Sequence, residues 1–469
     1  MLNTERIAVK EKVGYALGDA AANFIFQTML VFQLAFYTDT FGITAAAAGT
    51  LFLVVRFWDA IFDPLMGVIA DRTNTRWGKF RPWVLWTAVP FGIMGFLTFT
   101  TPHFGPHGKL VYAYVTYIAL MMVYSANNLP YSALSGVITG DLVERTSLST
   151  YRFVLAMSAA FVVQGLALPM VNYFGHGDSA KGYQYTMGIL SALAVIFFVV
   201  TFVTTKERVH PDPAQKTSVR QDFTDLAHNG PWLAIFALTL FVFVTLSMRG
   251  GVMLYYFKYY VNREDLFSVF NVCGLAATIV GVIGSTPLAK RYGKRGIYGI
   301  GLAATVVFTA AFVVIPRTAI AAMFVVEMFR QLAYGFTIPL LWAMMADVAD
   351  YSEWKNRRRA TAIVFSGIVF ALKAGLGFGG AIGGWLLSIY GYVPNAVQSE
   401  HALTGIRYTA SVFPAATFLI GVLCLFFYRI DRNLEVQITD ELAVRRQEYA
   451  LAAPPYTPDG EIAHVVGTK

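Results

Sequence analysis

The sequence predicts an all-α membrane protein with twelve transmembrane helices arranged as two six-helix halves. Three observations support this: an apolar composition, a regular series of long apolar runs, and a one-sided distribution of basic residues. Of the 469 residues, 56% are hydrophobic and 14% are charged, and the mean hydropathy is +0.55. Soluble domains contain about 25% charged residues. A chain so poor in charge could not cover its surface in water.

Runs of about 20 mostly apolar residues are long enough to cross a bilayer as helices. Six such runs occupy 13–41, 43–71, 81–100, 110–142, 153–171 and 183–204. Six more occupy 231–261, 266–288, 297–315, 320–350, 361–390 and 406–428. We therefore predict an N-terminal six-helix bundle over 1–204, a cytoplasmic connector over 205–230, a C-terminal bundle over 231–428 and a charged, partly disordered cytoplasmic tail over 429–469.

The basic residues agree with this division. With both termini in the cytoplasm, the inner segments contain 26 of the 36 Lys and Arg residues, the outer loops six and the helices four. This is the bias of the positive-inside rule. The formal charge of +8 is then explained by topology, and no nucleic-acid partner is expected. Cys273 and Cys424 lie far apart in apolar runs, so neither a disulfide nor a metal site is expected.

An internal repeat links the two halves. The second helix is followed by a basic turn that contains Asp71, Arg72, Gly78 and Lys79, and the eighth is followed by the similar turn Ala289-Lys290-Arg291-x-Gly293-Lys294-Arg295. Repeated bundles of this kind are typical of carriers that work by alternating access. We predict that Asp71, Arg72, Gly78 and Lys79 form a cytoplasmic gating motif.

Charged side chains at membrane depth are functional candidates, because each costs about 2.5–3.5 kcal/mol to insert. The second helix contains Arg56, Asp59 and Asp63, whose spacing of three and four places them on one face. Two carboxylates one turn apart favour a cation site, either for a metal ion or for a proton that one acid holds. A buried Arg–Asp pair that only braces the helix is the alternative.

Polar groups on other helices point to a sugar. Asp19, about one turn into the first helix, could accept two hydroxyl hydrogen bonds; the alternative is an acid at the membrane interface. The fourth helix contains polar side chains just before Pro130 that offer paired donors and acceptors to a polyol; a plain proline kink is the alternative there. These residues are Tyr124, Ser125, Asn127 and Asn128.

Four further charged residues in the predicted helices need a partner or a role. Lys373 needs a carboxylate partner, for which Asp59 and Asp63 are the candidates. Glu327 and Arg330, three residues apart, are expected to pair with each other. Arg249 precedes Gly250-Gly251, which suggests a break in the helix, and its role stays open. The glycines after Lys373 are expected to serve close helix packing rather than phosphate binding; they are Gly375, Gly377, Gly379, Gly380, Gly383 and Gly384.

No enzyme motif is present in the sequence. The seven histidines fall in predicted loops or in the tail, and there is no P-loop for ATP. We therefore expect neither catalysis nor a cofactor.

Several segments together resemble the glycoside–pentoside–hexuronide:cation symporter family of the major facilitator superfamily. They are Lys10-Glu11-Lys12-x-Gly14-Tyr15-x-x-Gly18-Asp19, Gly49-Thr50-Leu51-Phe52-Leu53-Val54, Asp59 through Pro64, Arg76-Trp77-Gly78-Lys79-Phe80-Arg81-Pro82, Asn128-Leu129-Pro130-Tyr131 and Ala346-Asp347-x-x-Asp350-Tyr351-x-Glu353. The resemblance covers nearly the whole chain. It implies the fold of that superfamily and cation-driven symport of a sugar across a bacterial inner membrane by a monomer.

The resemblance also implies roles for individual residues. The cation site would consist of Asp59, Asp63, Ser125 and Lys373, with Asp59 and Asp63 as metal ligands if the ion is sodium. The substrate site would consist of Asp19, Tyr124, Asn128, Arg152 and Lys373.

The sequence departs from the family's melibiose transporters at four positions. Those proteins have a lysine at Gly18, an asparagine at Phe62, an acid at Asn128 and a tryptophan at Ser132. Because Phe62 offers no oxygen ligand, a proton is preferred over sodium as the coupling ion. The lost acid and tryptophan indicate a xyloside or pentoside rather than melibiose.

Two other functions are alternatives to symport. A sugar sensor would need a sizeable cytosolic output domain, for which the connector and tail are too short. A carrier of lipid or another small amphiphile on the same fold is the remaining alternative, although a cavity containing Asp19, Asn128 and Arg152 would be polar for such a ligand.

Overall fold

The computed structural model describes residues 6–139, 141–208, 226, 229–356 and 361–452. The N-terminal half consists of α1 (Val9–Ala35), α2 (Ala45–Arg72), α3 (Arg81–Thr98), α4 (Pro106–Ile138), α5 (Leu142–Gly175) and α6 (Ser179–Thr204). The C-terminal half consists of α7 (Gly230–Tyr255), α8 (Phe267–Tyr292), α9 (Lys294–Ala311), α10 (Ile320–Asn356), α11 (Thr361–Ile389), α12 (Glu400–Ala410) and α13 (Val412–Phe427). A further helix, α14 (Arg432–Ala452), follows. Most of the predicted connector lies outside the described residues.

Ten helices within the described ranges are long and apolar enough to cross a membrane, with α12 and α13 counted as one span that is interrupted at Ser411. The 18-residue helices α3 and α9 start with basic residues, so their apolar parts are shorter, but at 1.5 Å per residue each is still about 27 Å long. The predicted all-α fold with two helical bundles is confirmed.

Helix boundaries differ from the prediction wherever a helix continues in polar sequence. Helix α5 begins at Leu142, so Arg152 lies well inside the helix rather than at its start. Helix α7 runs through Gly250 and Gly251 without a break, which corrects the suggested interruption after Arg249. Much of the tail that was expected to be partly disordered forms α14. Gln437 of α14 and Trp354 of α10 donate hydrogen bonds to Glu441 of α14, which lowers the pKa of the Glu441 carboxyl group.

The two halves repeat the same local irregularities. Helices α1 and α7 both end in a π-helical turn, Phe36–Phe41 and Tyr256–Val261. Each turn is closed by a residue with positive φ, Gly42 at 85° and Asn262 at 57°. The turns after α2 and α8 likewise contain Gly78 at φ 112° and Gly293 at φ 84°, a conformation that favours glycine. We call the end of the bundles that contains these two basic turns the basic face.

Helix α11 packs against both halves through glycines. On one side Gly375, Gly379 and Gly383 contact α7 of the same half, at Leu240, Val244 and Met248. On the other side Gly377, Gly380 and Gly384 contact α2 of the opposite half, at Arg56, Phe52 and Ala45. The expected packing role of these glycines is confirmed, because the absence of a side chain lets helix backbones approach closely.

The halves are tied together at the face opposite the basic face. Asp39 accepts hydrogen bonds from Lys258 Nζ and Tyr259 Oη, both at 2.6 Å, and from the hydroxyl of Tyr392. Asn395 Nδ2 donates to the carbonyl oxygen of Asp39 at 2.6 Å. We call this group the Asp39 clasp and the end that contains it the clasp face.

Several further contacts between the halves lie toward the same face. Leu34 of α1 packs against Gly251 of α7, and Gly165 of α5 against Val272 of α8. The glycine contacts between α2 and α11 lie in the parts of both helices nearest the clasp face. The space between the halves is therefore closed toward the clasp face.

Candidate functional site

Asp19 and Arg152 form a two-point ion pair between α1 and α5. Arg152 Nε lies 2.5 Å from Asp19 Oδ2, and Nη2 lies 3.3 Å from Oδ1. The guanidinium also lies over the ring of Tyr131, 5.1 Å from its centre, and Tyr131 stacks on Tyr15. Both charged side chains keep some exposure, 14% for Asp19 and 24% for Arg152. The resemblance assigns both residues to the substrate site, and the structure brings them together as an ion pair.

A ladder of amides continues from Asp19 along α1. Asn23 Nδ2 donates to the Asp19 carbonyl oxygen at 2.9 Å, and Gln27 Nε2 lies 3.4 Å from Asn23 Oδ1. Gln164 of α5 approaches Gln27 at 3.4 Å. The four-residue spacing along an otherwise apolar helix places these groups on one face, which leads to the interior of the molecule.

Asn23, Gln27 and Gln164 line a cavity of about 330 Å³ between the two halves, which we call the central cavity. This volume falls at the lower end of the range of about 300–1,000 Å³ that is usual for small-molecule sites. The C-terminal half contributes further polar side chains to its wall, among them Arg249, Asn271, Thr278, Glu327, Arg330 and Gln331.

The expected pairing of Glu327 with Arg330 is confirmed, and Arg249 joins it. Arg330 donates to both carboxylate oxygens of Glu327, at 2.6 and 2.9 Å. Arg249 approaches the same two oxygens from α7, at 2.7 and 3.4 Å. This arrangement gives Arg249 a place that the sequence left open.

The two acids of α2 each have a basic partner. Arg56 Nη1 donates to Asp59 Oδ2 at 2.8 Å, one turn along the same helix. Asp63 pairs with Lys373 of α11, which confirms the expectation that Lys373 has a carboxylate partner on the second helix. Each acid of α2 therefore has its own positive partner, because Lys373 supplies the second positive charge. A cation at this site would have to compete with Lys373.

Both acids nevertheless keep an unused acceptor. Asp59 is 1% exposed, and its Oδ1 has no hydrogen-bond partner among the described residues. The same is true of Asp63 Oδ1. No group of three or more His, Cys, Asp or Glu side chains that could hold a metal ion occurs in the part of the chain that the structure describes.

The acids line their own cavity, distinct from the central cavity. Asp59, Asp63 and Lys373 face a space of about 620 Å³ between α2, α7 and α11, which we call the acid cavity. It shares no lining residue with the central cavity. A small intermediate space is lined by Arg56 on the acid side and by Leu30 on the central side. Lys373, predicted for both sites, lines only the acid cavity.

The predicted residues of α4 lie in the protein interior. The ring of Tyr124 packs against those of Phe26 and Phe91, each 6.1 Å from it between centres. Ser125 is buried, and its Oγ is without a hydrogen-bond partner within the described ranges. Asn127 Nδ2 donates to Thr87 Oγ1 of α3 at 2.8 Å, so this amide braces two helices. Asn128 is half-buried and lines neither cavity.

The basic turn after α2 is fixed by an acid from the end of α6. Glu207 accepts hydrogen bonds from the backbone N–H groups of Lys79, Phe80 and Arg81 at 2.7–2.8 Å, and so caps the N-terminus of α3. Gly78 lies directly against the same carboxylate. Arg72 is exposed, whereas the side chain of Asp71 lies outside the described part of the structure.

Comparison with known proteins identifies the family. Residues 14–432 match the family described as MFS/sugar transport protein. The chain belongs to this family. It is therefore a multi-pass membrane transporter and not an enzyme, and its resemblance to the glycoside–pentoside–hexuronide:cation symporters is confirmed by named relatives.

The chain is similar to several known proteins over nearly their whole length. It is 38% identical to the "Inner membrane symporter YicJ" of Escherichia coli (strain K12), covering 94% of this chain and 96% of the relative. It is also 38% identical to the "Putative glycoside/cation symporter YagG" of the same organism, covering 96% and 98%. Identity to the "Isoprimeverose transporter" of Lactiplantibacillus pentosus is 36%, covering 96% and 95%.

Solved structures support the fold. A bacterial homologue of the lysosomal transporter Spinster, in an inward-facing conformation, matches with a TM-score of 0.63 at 15% identity, covering 89% of this chain and 96% of that one. The nucleoside transporter NupG matches with a TM-score of 0.60 at 13% identity, covering 90% and 99%.

Proposed function

We propose that this transporter carries a glycoside or pentoside of xyloside type into the cell together with a cation, and that the cation is a proton rather than sodium. The observation that supports this most strongly is the continuous polar path from the Asp19–Arg152 pair through Asn23 and Gln27 into the central cavity. Sugar hydroxyls need paired donors and acceptors, and a carboxylate beside a guanidinium provides both.

The substrate class is further supported by the relatives. YagG of E. coli is named a putative glycoside/cation symporter, and the protein from L. pentosus is named an isoprimeverose transporter. A small sugar derivative is consistent with the size of the central cavity.

The coupling step is proposed at Asp63. Its partner Lys373 belongs to the other half of the molecule, so a proton bound to Asp63 would weaken an ion pair that connects the halves. Phe62, which has no oxygen ligand, favours a proton. The acid cavity adjoins the central cavity through Arg56 and the intermediate space. The protonation state of Asp63 can therefore influence sugar binding in the central cavity. Coupling must be reciprocal, because a cation that tightens sugar binding is itself tightened by the sugar.

The proposed orientation places both termini and the basic face in the cytoplasm of a bacterial cell, with the protein in the inner membrane as a functional monomer. Membrane lipid would then be the only other partner. The distribution of basic residues supports this orientation. With the clasp face outside, the closed clasp corresponds to an inward-facing state.

The test is transport into proteoliposomes of a panel of radiolabelled pentosides and hexosides, with a proton gradient and a sodium gradient imposed separately. One charge moving through 100 mV gains about 2.3 kcal/mol, which corresponds to roughly forty-fold accumulation at about 1.4 kcal/mol per decade. We expect a proton gradient to drive accumulation of a xyloside. Accumulation driven only by a sodium gradient would refute the proton as the coupling ion. Competition by lysolipid but not by sugars would refute a sugar as the substrate.

The variant Asp63→Asn tests the coupling residue. We expect it to fold, to equilibrate sugar and to lose uphill uptake, because asparagine cannot take up the proton. Asp178→Asn is a matched control, since Asp178 is a surface acid that caps α6 and asparagine can also cap a helix. Uphill uptake by Asp63→Asn would contradict the proposed cation role.

A further inference from the structure

The carboxylate of Asp39 is the centre of the Asp39 clasp, and both of its oxygens accept hydrogen bonds from phenol groups. Tyr259 Oη donates to Oδ2 at 2.6 Å, and the hydroxyl of Tyr392 donates to Oδ1. The two phenol oxygens lie 3.2 Å apart. Neighbouring hydroxyl groups on a sugar ring are similarly close and can donate to one carboxylate in the same way. The closed clasp therefore contains, within the protein, the hydrogen bonds of a carboxylate with a vicinal diol.

These donors come from the C-terminal half, whereas Asp39 belongs to the N-terminal half. Lys258 Nζ is a third donor from the C-terminal half, 2.6 Å from Oδ2. Opening of the clasp face separates the halves and so removes all three donors from the carboxylate at once. A carboxylate offers about four acceptor positions, and leaving a charged acceptor without donors is unfavourable. The open state therefore presents Asp39 as an acceptor for hydroxyl groups that arrive at the clasp face.

Helix α1 connects this acid with the central cavity. Asp39 lies in the π-helical turn that ends α1, and Asp19, Asn23 and Gln27 lie along the same helix. Asn23 and Gln27 line the central cavity. A sugar that first meets Asp39 can therefore reach the polar ladder by moving along one helix.

Tyrosine rings of the C-terminal half form the opposite wall of the clasp. The ring of Tyr392 lies 5.1 Å from that of Tyr255 and 5.5 Å from that of Tyr259, measured between centres. Tyrosine combines an apolar ring with a polar hydroxyl group. A β-xyloside has equatorial hydroxyl groups, so the two faces of its ring present C–H groups that can pack on such rings while its edge binds a carboxylate. The clasp thus contains both kinds of group that a xyloside requires.

We propose that Asp39 is an entry site for the sugar, at which a vicinal diol of the substrate binds the carboxylate when the clasp face is open. This inference rests on the proposed function. The sugar hydroxyls and the phenols of Tyr259 and Tyr392 compete for the same oxygens. A bound sugar therefore holds the clasp open, and closure of the clasp displaces the sugar toward the central cavity.

The test is the KM for uptake of radiolabelled methyl β-D-xyloside into membrane vesicles that contain the full-length protein. In right-side-out vesicles the sugar meets the clasp face first, and in everted vesicles it meets the basic face first. We expect Asp39→Asn to raise the KM in right-side-out vesicles at least about ten-fold, equivalent to about 1.4 kcal/mol, because the amide loses the charge and one acceptor oxygen. An equal rise in everted vesicles would overturn the entry site, because damage to the central cavity affects both directions.

A second variant separates an entry site from a simple gate. Tyr259→Phe combined with Tyr392→Phe removes the competing phenols and leaves the carboxylate intact, so the KM in right-side-out vesicles should fall about two-fold or more. Asp39→Asn and the double variant both loosen the clasp. If the clasp were only a gate, the two would therefore shift the KM in the same direction, whereas an entry site requires opposite shifts.

Two controls complete the design. Asp39→Glu keeps the carboxylate and should keep most of the affinity in right-side-out vesicles. Asp178→Asn alters a surface acid between α5 and α6, at the same face, and should leave the KM unchanged. Because the KM does not depend on the amount of folded protein, a lower yield of a variant does not alter the comparison.

The two proposals can fail separately. If the wild-type protein takes up the xyloside and Asp39→Asn leaves the KM unchanged or lowers it, the entry site is overturned while sugar transport stands. If the wild-type protein takes up no xyloside, the proposed function fails, and this inference fails with it.

Discussion

The two glycine faces of α11 allow closure of the clasp face to be perturbed separately from folding of the C-terminal half. A Cβ atom at Gly384 would lie 2.5 Å from the carbonyl oxygen of Ala45 and 3.0 Å from Cα of Gly49, both in the opposite half. A Cβ atom at Gly379 would overlap the carbonyl oxygen of Val244 and lie 2.9 Å from Cβ of Ser247, both in the same half. Gly384→Ala and Gly379→Ala are therefore a matched pair.

The expected magnitude follows from the cost of overpacking. Inserting one methyl group into a closely packed contact costs about 1–3 kcal/mol. For Gly384→Ala this cost arises only while α2 and α11 are in contact, so the population with an open clasp face should rise by about five- to 150-fold at about 1.4 kcal/mol per decade. For Gly379→Ala the cost is present in both states, so stability falls and the balance between the states stays the same.

Accessibility of Leu34 provides the assay. This residue is buried against Gly251 at the contact between α1 and α7. A single cysteine at Leu34→Cys, in a background with Cys273→Ser and Cys424→Ser, is labelled with a maleimide in the purified protein. We expect Gly384→Ala to raise the labelling rate about ten-fold or more. Gly379→Ala should lower the thermal unfolding temperature with little change in that rate.

An unchanged labelling rate in Gly384→Ala, or equal increases in the two variants, would refute control of the clasp face by these glycine contacts. In the first case the contact between α2 and α11 does not control the clasp face. In the second, loosening within one half is sufficient to open it.

Three further predictions concern single residues. Asp19→Ala should remove measurable binding of a xyloside to the purified protein, because Arg152 then has no counter-charge in the sugar site; unchanged affinity would refute this role. Asp39→Asn should raise labelling of Leu34→Cys several-fold, because the clasp loses its ion pair with Lys258; an unaltered rate would show that the clasp is not a gate. Gly78→Ala should lower the thermal unfolding temperature, because the φ of 112° at Gly78 disfavours a side chain at a cost of order 1–3 kcal/mol. Gly136→Ala, in open space on α4, should leave that temperature unchanged. Equal effects of the two substitutions would contradict a backbone requirement for glycine at position 78.

The fold was predictable because hydropathy and the placement of basic residues are properties of each segment. The boundaries of α5 and the existence of α14 were not, because both helices extend through polar sequence in which no apolar run marks them. The break suggested after Arg249 was wrong, because two glycines are compatible with a continuous helix when neighbouring helices pack against them.

The sites were predictable only in part. An acidic partner for Lys373 on the second helix followed from charge alone, since a lysine at membrane depth requires an acid, but charge alone did not decide between Asp59 and Asp63. Asn23 and Gln27 were missed, although their four-residue spacing from Asp19 on an apolar helix is a signal that the sequence contains. The approach of Arg249 to Glu327 could not be found in this way, because it depends on which faces of α7 and α10 meet across the bundle.

The π-helical ends of α1 and α7 have a consequence for how the gate is built. Asp39 is the fourth residue of the turn Phe36–Phe41, and Tyr259 is the fourth residue of the counterpart turn Tyr256–Val261, one position after Lys258. Both Lys258 and Tyr259 bind Asp39, so the clasp joins the two equivalent turns of the repeat. After a duplication, an acid in one turn and a base one position earlier in the other turn are enough to make the two ends attract each other. The pseudo-twofold relation between the bundles then supplies the docking geometry, and the gate requires no dedicated loop or additional domain.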